Sequence, residues 1–99
     1  MIAIIDYDAG NLRSVEKALD ALGEQPVISR DEKTILSADR VILPGVGSFG
    51  DAMGKLRQYG LVDVIHRVTD QGTPFLGICL GLQLLFERSG ESEGVPGLG

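Results

Sequence analysis

Residues 73–86, TPFLGICLGLQLLF, decide the fold, because they predict a short buried strand, a tight turn and a helix in direct succession. The strand is indicated by the apolar residues Phe75, Leu76 and Ile78, preceded by a proline at a position where no ladder hydrogen bond is lost. Apolar residues at helical spacing follow it. The single cysteine of the chain, Cys79, lies at the bend between strand and helix.

Two glycines, Gly77 and Gly81, flank Cys79 in the pattern G-x-C-x-G. A sharp strand-to-helix turn brings neighbouring chain segments so close that side chains at the flanking positions would collide. The pattern is that of a nucleophile elbow, whose thiol lies in the first turn of a helix, where unpaired N–H groups favour a thiolate. The alternative is an ordinary buried cysteine, as in most cytosolic domains. The paired glycines favour the nucleophile.

Composition limits the class of protein. The chain has 99 residues, 43% of them hydrophobic, which suits one small domain with a real core and leaves no room for a second. A net charge of −5 with scattered basic residues argues against a nucleic-acid surface. One cysteine cannot form an internal disulfide, and the first residues resemble neither a signal peptide nor a membrane span. We expect a cytoplasmic protein without metal or cofactor.

The rest of the sequence alternates predicted strands with predicted helices. Apolar runs predict strands at residues 2–5, 27–28 and 40–43, and helical spacing predicts a helix ending at Gly23, one turn at residues 33–36, and two helices that meet at residues 59–60. In the first helix the expected buried face consists of Val15, Ala18, Leu19 and Leu22. This alternation predicts an α/β fold, a parallel sheet of about four strands with helices on both faces. Its apolar fourth strand should have a further neighbour.

A second glycine loop, Pro-Gly-Val-Gly at residues 44–47, follows the third predicted strand. The carboxyl ends of parallel strands meet at one end of a sheet, so this loop, residues 6–11 and the elbow should lie together. The N–H groups of the loop, with that of Leu80 after the nucleophile, could form an oxyanion hole. A tight turn without a ligand is the commoner case for such a loop, and a phosphate-binding loop fits less well.

The only histidine, His66, lies in a predicted helix but off its apolar face. We expect it to be solvated and far from the strand ends, so it does not supply the base that a cysteine nucleophile needs. No histidine follows Cys79 within the sequence. Residues 89–99, rich in glycine and acidic residues, predict a loop. The visible chemistry is half a catalytic site.

Three motifs together resemble a known family. They are the elbow with its continuation Leu80-Gly81-Leu82-Gln83, the loop at residues 44–47, and Asp6-Tyr7-x-x-Gly10-Asn11. In combination they resemble the glutaminase subunits of imidazole glycerol phosphate synthase, a family of class I (triad) glutamine amidotransferases. The resemblance covers residues 1–99 and implies a flavodoxin-like fold. Residues 1–99 would be the N-terminal part of one such domain. Asp8 departs from the family, which usually has a small residue there, often glycine.

The resemblance implies roles for individual residues. Cys79 would attack the side-chain amide carbon of glutamine, and the N–H groups of Val46 and Leu80 would hold the oxyanion. Gly47 and Gln83 would contact the bound glutamine. On position alone, Gln83 is equally an exposed helix residue.

The resemblance also implies a partner. In the family, ammonia passes to a (βα)8-barrel cyclase, which makes imidazole glycerol phosphate and an aminoimidazole carboxamide ribotide. Tyr7, Gly10 and Asn11 would lie near that interface, although Asn11 could equally be a helix N-cap. The triad histidine and glutamate belong to the second half of the family's domain, so we expect residues 1–99 alone to have no useful turnover. Two alternatives stay open, a non-catalytic flavodoxin-like interaction module and a glutaminase subunit of another synthase.

Overall fold

The structure is a computed structural model that describes residues 1–8, 12–45, 48–78, 84 and 97–98. In chain order the described elements are β1 (Ile2–Ile5), α1 (Leu12–Ala21), β2 (Pro26–Ser29), α2 (Glu32–Leu36), β3 (Arg40–Leu43), α3 (Phe49–Gln58), α4 (Leu61–Asp70) and β4 (Phe75–Gly77). The predicted alternation of strands and helices is confirmed. The predicted helix after the elbow lies outside the described residues, except for Leu84, which is buried.

The described strands form one parallel sheet in the order β2-β1-β3-β4. Ile2 of β1 pairs with Pro26 on one side and with Arg40 on the other. In chain order, β2 is therefore added on one side of β1, and β3 and β4 are added on the other side. Sheets of this kind usually hold ligands at the carboxyl ends of the two strands between which the order reverses, here β1 and β3.

The two faces of the sheet bury different helices. Side chains alternate along a strand, so Ala3 and Ile5 of β1 face the larger core, which α2, α3 and α4 complete, while Ile2 and Ile4 face α1. Helices therefore cover both faces, as predicted.

The amphipathic helices α3 and α4 bury the faces that their spacing predicts. The buried side chains are Phe49, Ala52, Met53 and Leu56 in α3 and Leu61, Val64, Ile65 and Val68 in α4. Gly60 separates the two helices in the left-handed conformation, with φ 67°. A residue without a Cβ adopts this conformation at little cost, which explains why the helical pattern breaks there.

The predicted buried face of α1 is partly wrong. Val15 is buried and Leu19 is half-buried, but Ala18 is exposed and Leu22 is 78% exposed. Leu12 packs against the sheet one turn before Val15. The apolar stripe therefore consists of Leu12, Val15 and Leu19, and Ala18 lies beside it. Leu22 lies beyond the end of the helix, in the turn before β2.

The tail makes one core contact that its composition did not predict. Leu98 is buried in the larger core, and its N–H donates to the carbonyl of Leu84 at 2.8 Å. The glycine-rich composition predicted a loop and gave no sign of this core contact. Among the helices that the structure describes, none is long and apolar enough to cross a membrane.

Candidate active site at the carboxyl end of the sheet

The carboxyl ends of β1, β3 and β4 lie side by side, because all three strands are parallel and in register. Leu43, the last residue of β3, pairs with Gly77, the last residue of β4. The N–H of Ile78 then donates to the carbonyl of Leu43 at 3.0 Å, which extends the pairing by one residue. The loop at residues 44–47 and the segment that leads to Cys79 therefore start from neighbouring positions, at the ends of β3 and β4.

Most of the predicted site residues lie outside the described residues. These are Gly10, Asn11, Val46, Gly47, Cys79, Leu80 and Gln83, and their predicted roles stay predictions. The structure describes the residues that carry them, namely the strand ends and the first residues of each loop. Tyr7 is the predicted site residue whose side chain is described.

Tyr7 follows β1, and its side chain faces the larger core with 2% of its surface exposed. Its hydroxyl donates a hydrogen bond to the carbonyl of Pro44, the first residue of the loop after β3. Burial raises the pKa of Tyr7 well above its usual value, so the phenol stays protonated and donates. The resemblance predicted Tyr7 near a partner interface, which stays a prediction, and sequence reasoning missed the bond to Pro44.

Asp8 is the exposed neighbour of Tyr7, and it has the left-handed backbone conformation, with φ 68°. Aspartate is one of the few side chains that adopt this conformation with any frequency. The Asp8 carboxylate accepts hydrogen bonds from the Arg30 guanidinium, at 2.9 Å, and from the Tyr59 hydroxyl. Together these two bonds hold the pKa of Asp8 below its usual value.

Arg30 connects this loop to β2 and α3. Its guanidinium lies 3.9 Å from the centre of the Tyr59 ring and 3.2 Å from a carboxylate oxygen of Asp6. The ammonium of Lys55 in α3 lies 3.6 Å from Asp8. A polar cluster of five residues, Asp6, Asp8, Arg30, Lys55 and Tyr59, therefore fixes the start of the loop after β1. Sequence reasoning missed this cluster, because its members are far apart in the chain.

The loop at residues 44–47 is held on both sides by described residues. Pro44 and Gly45, its first two residues, are buried, and Ser48 caps α3 after it. The Ser48 hydroxyl accepts from the N–H of Asp51 at 3.2 Å. An N-cap of this kind satisfies one of the unpaired donors of the first helical turn. Residues 46–47 therefore lie between a buried residue and a helix cap.

His66 is exposed on α4, as predicted, and its Nε2 lies 2.6 Å from the carbonyl oxygen of Leu98. The contact with Leu98 was not predicted. It connects Leu98 to α4.

Other described features do not compete for the chemistry. A cavity of about 550 Å³ lies at the amino end of the strands, between residues 1–2 and 23–27, opposite the predicted site. Within the described part of the chain, no group of three or more His, Cys, Asp and Glu side chains could hold a metal ion. The candidate site therefore consists of the three loops that follow β1, β3 and β4.

Comparison with known proteins identifies the class. A family model described as glutamine amidotransferase class-I matches residues 3–94. The chain belongs to the class I glutamine amidotransferase family. A crystal structure of a glutamine amidotransferase agrees in fold, with a TM-score of 0.82 at 23% identity, over 100% of this chain and 52% of that one.

More particular relatives share far more of the sequence. The chain is 58% identical to imidazole glycerol phosphate synthase subunit HisH of Thermosynechococcus vestitus, over 99% of this chain and 46% of that protein. It is 57% identical to HisH of Bacillus cereus and 54% identical to HisH 1 of Methanococcus maripaludis, which it covers to 47% and 50%. The chain thus spans about half the length of these relatives.

Proposed function

We propose that this chain is the nucleophile-bearing part of a glutaminase subunit, and that the protein at its family's full length hydrolyses glutamine to glutamate and ammonia. A partner cyclase would use the ammonia to make imidazole glycerol phosphate in histidine biosynthesis. The observation that carries the proposal is the pairing of β3 with β4. It supports an arrangement in which the loop at residues 44–47 and the elbow at Cys79 share one pocket. The similarity to HisH subunits supports the choice of substrate and pathway.

The reaction follows from a thiolate beside backbone donors. The Cys79 thiolate adds to the amide carbon of glutamine, and the N–H groups of Val46 and Leu80 stabilise the oxyanion. The C–N bond then breaks, the nitrogen takes a proton and leaves as ammonia, and a thioester remains. Water adds to the thioester, the C–S bond breaks, and glutamate and the thiolate are released. The general acid and base is the triad histidine, which the family carries in the second half of its domain.

The remaining predicted residues bind and connect. Gly47 and Gln83 would contact the glutamine, and Gly10 and Asn11 would lie toward a (βα)8-barrel cyclase. Ammonia released next to that partner can be used before it is protonated in bulk water. The function also suits a cytoplasmic protein.

The test uses the full-length protein with its cyclase partner. Cys79→Ala should abolish ammonia release from glutamine, because the variant lacks the thiol that we propose forms the thioester. The same variant should leave ammonia-dependent synthesis by the partner intact, which serves as the internal control for assembly. A glutamine-like affinity label should modify Cys79 in the wild type.

The alternatives predict other results. Glutaminase activity that persists in Cys79→Ala would refute the proposal that Cys79 is the nucleophile, whereas a wild type that releases no ammonia from glutamine would favour a non-catalytic flavodoxin-like module. Glutaminase activity that responds to a partner other than a barrel cyclase would favour another synthase. Pull-down of the partner from cell extract, followed by the cyclase assay, separates these two cases.

A further inference from the structure

A hydrogen bond joins the loop that follows β1 to the loop that follows β3. It runs from the Tyr7 hydroxyl to the Pro44 carbonyl, between residues that are 37 positions apart in the chain. The strand order reverses between β1 and β3, and open α/β sheets bind their ligands at the carboxyl ends of the strands at such a point. The bond therefore connects the first loop to the loop that we propose holds the oxyanion.

The position of the donor is firmly set. Tyr7 is 2% exposed, and it belongs to the larger core, which also contains Leu43, the last residue of β3, and Phe49, the first residue of α3. A ring buried in a close-packed core has little freedom to move. The hydroxyl therefore offers the loop one fixed hydrogen-bonding position.

The acceptor, the Pro44 carbonyl, belongs to the Pro44–Gly45 peptide, so the hydrogen bond sets the direction of that peptide plane. Pro44 has no N–H, and its ring restricts φ, so its carbonyl is the one backbone group through which this residue can be held. In a trans peptide the carbonyl and the following N–H point in opposite directions. Holding the Pro44 carbonyl toward Tyr7 therefore turns the N–H of Gly45 away from the core, at the entrance to residues 46–47.

We propose that Tyr7 is a positioning residue for the oxyanion loop, whose hydroxyl holds the Pro44–Gly45 peptide at the start of residues 44–47. This inference rests on the proposed glutaminase function. Preorganised donors stabilise charge that develops only in the transition state, so a loop that loses its anchor should slow the chemistry more than it weakens glutamine binding.

The decisive variant is Tyr7→Phe, which removes one oxygen atom and keeps the ring in the core. In the full-length protein with its cyclase, we expect kcat for glutamine hydrolysis to fall about tenfold. This is less than the hundredfold or more for deleting an oxyanion donor, because a displaced donor keeps part of its effect. KM for glutamine should change by less than about twofold, since the substrate contacts remain.

Thr69→Val is the matched control. It also removes a hydroxyl that donates a hydrogen bond to a backbone carbonyl, but Thr69 lies on α4, outside the three loops of the candidate site. We expect kcat to stay within about twofold of the wild type. A second readout is the rate at which iodoacetamide alkylates Cys79, a substitution that forms no oxyanion. Tyr7→Phe should leave this rate unchanged, whereas a misfolded site would alter it.

Three outcomes would overturn the inference. The first is an unchanged kcat in Tyr7→Phe. The second is an equal decrease in kcat in Tyr7→Phe and in the control variant. The third is a decrease in the alkylation rate of Cys79 in Tyr7→Phe that is as large as the decrease in kcat. A failure of the proposed function is distinguishable from all three, because the wild type itself would then release no ammonia from glutamine.

Discussion

The cap of α3 gives a prediction whose size follows from one contact. Ser48 accepts a hydrogen bond from the N–H of Asp51 at 3.2 Å, and α3 begins at the next residue, Phe49, which is fully buried. Replacing an N-cap serine by alanine costs about 1 kcal/mol of stability, and replacing it by glycine costs only a few tenths. Ser48→Ala should therefore destabilise the protein measurably, and Ser48→Gly should do so much less.

The fold offers a matched control at another helix. Asp31 caps α2, and its side chain accepts from the N–H of Thr34 at 3.0 Å. Asp31→Ala should cost a similar amount, about 1 kcal/mol. The two caps differ in place, because Ser48 directly follows residues 46–47 and Asp31 lies outside the three loops of the candidate site. Only Ser48→Ala should also lower glutaminase turnover.

Thermal unfolding of the full-length protein measures the effect. For a protein of the family's length, about 1 kcal/mol corresponds to a decrease in Tm of roughly 2–4 °C. We expect this shift for Ser48→Ala and for Asp31→Ala, and less than about 1 °C for Ser48→Gly. Equal values of Tm for Ser48→Ala and Ser48→Gly would refute the capping argument. A loss of turnover in Asp31→Ala as large as in Ser48→Ala would refute the link between the cap and the loop.

Two further predictions concern the polar cluster and the exposed strand. Tyr59 and Arg30 hold the pKa of Asp8 below its usual value, so its contribution to stability is complete above about pH 4 and is lost as the pH falls through the lower folded pKa. The difference in Tm between the wild type and Asp8→Asn should therefore shrink between about pH 7 and pH 3, and a constant difference would contradict the ionic contribution. Leu76 in β4 is 57% exposed, and the sequence predicts a further neighbour for this strand. Leu76→Ala should lower the free energy of unfolding by about 1 kcal/mol or less in residues 1–99 and by about 2–3 kcal/mol in the full-length protein. Leu56→Ala, at a fully buried position, should lower it by about 2–5 kcal/mol in both proteins. Denaturant unfolding measures these differences.

The sequence predicts the elements of this fold well, because their signals are local. The run of β-branched residues in β1 and the stripe Leu61, Val64, Ile65 and Val68 in α4 each specify an element by spacing alone. The error at Leu22 arises where a helical pattern continues past the residue at which the helix ends. Helix propensity does not show where α1 ends. Gly23, with a φ of 85°, follows the end of the helix and locates it more closely.

The contacts that hold the candidate site were not predictable in this way. Tyr7 and Pro44 meet only because β1 and β3 are neighbours in the sheet, and no local pattern connects a tyrosine with a carbonyl 37 residues away. The elbow motif at Cys79 is different, because its glycines and its nucleophile lie within five residues. Motifs of this kind identify the chemistry, and long-range hydrogen bonds decide how the chemistry is positioned.

Asp8 shows how such contacts accommodate a departure from a family's pattern. A glycine adopts a φ near 68° without steric cost, whereas an aspartate there has to be stabilised by its surroundings. The bonds to Arg30 and Tyr59 provide that stabilisation, and they also connect the loop after β1 to β2 and α3. A small residue at this position would leave the loop conformation to the backbone alone. In this chain the side chain also specifies it, which makes the start of the loop more firmly held.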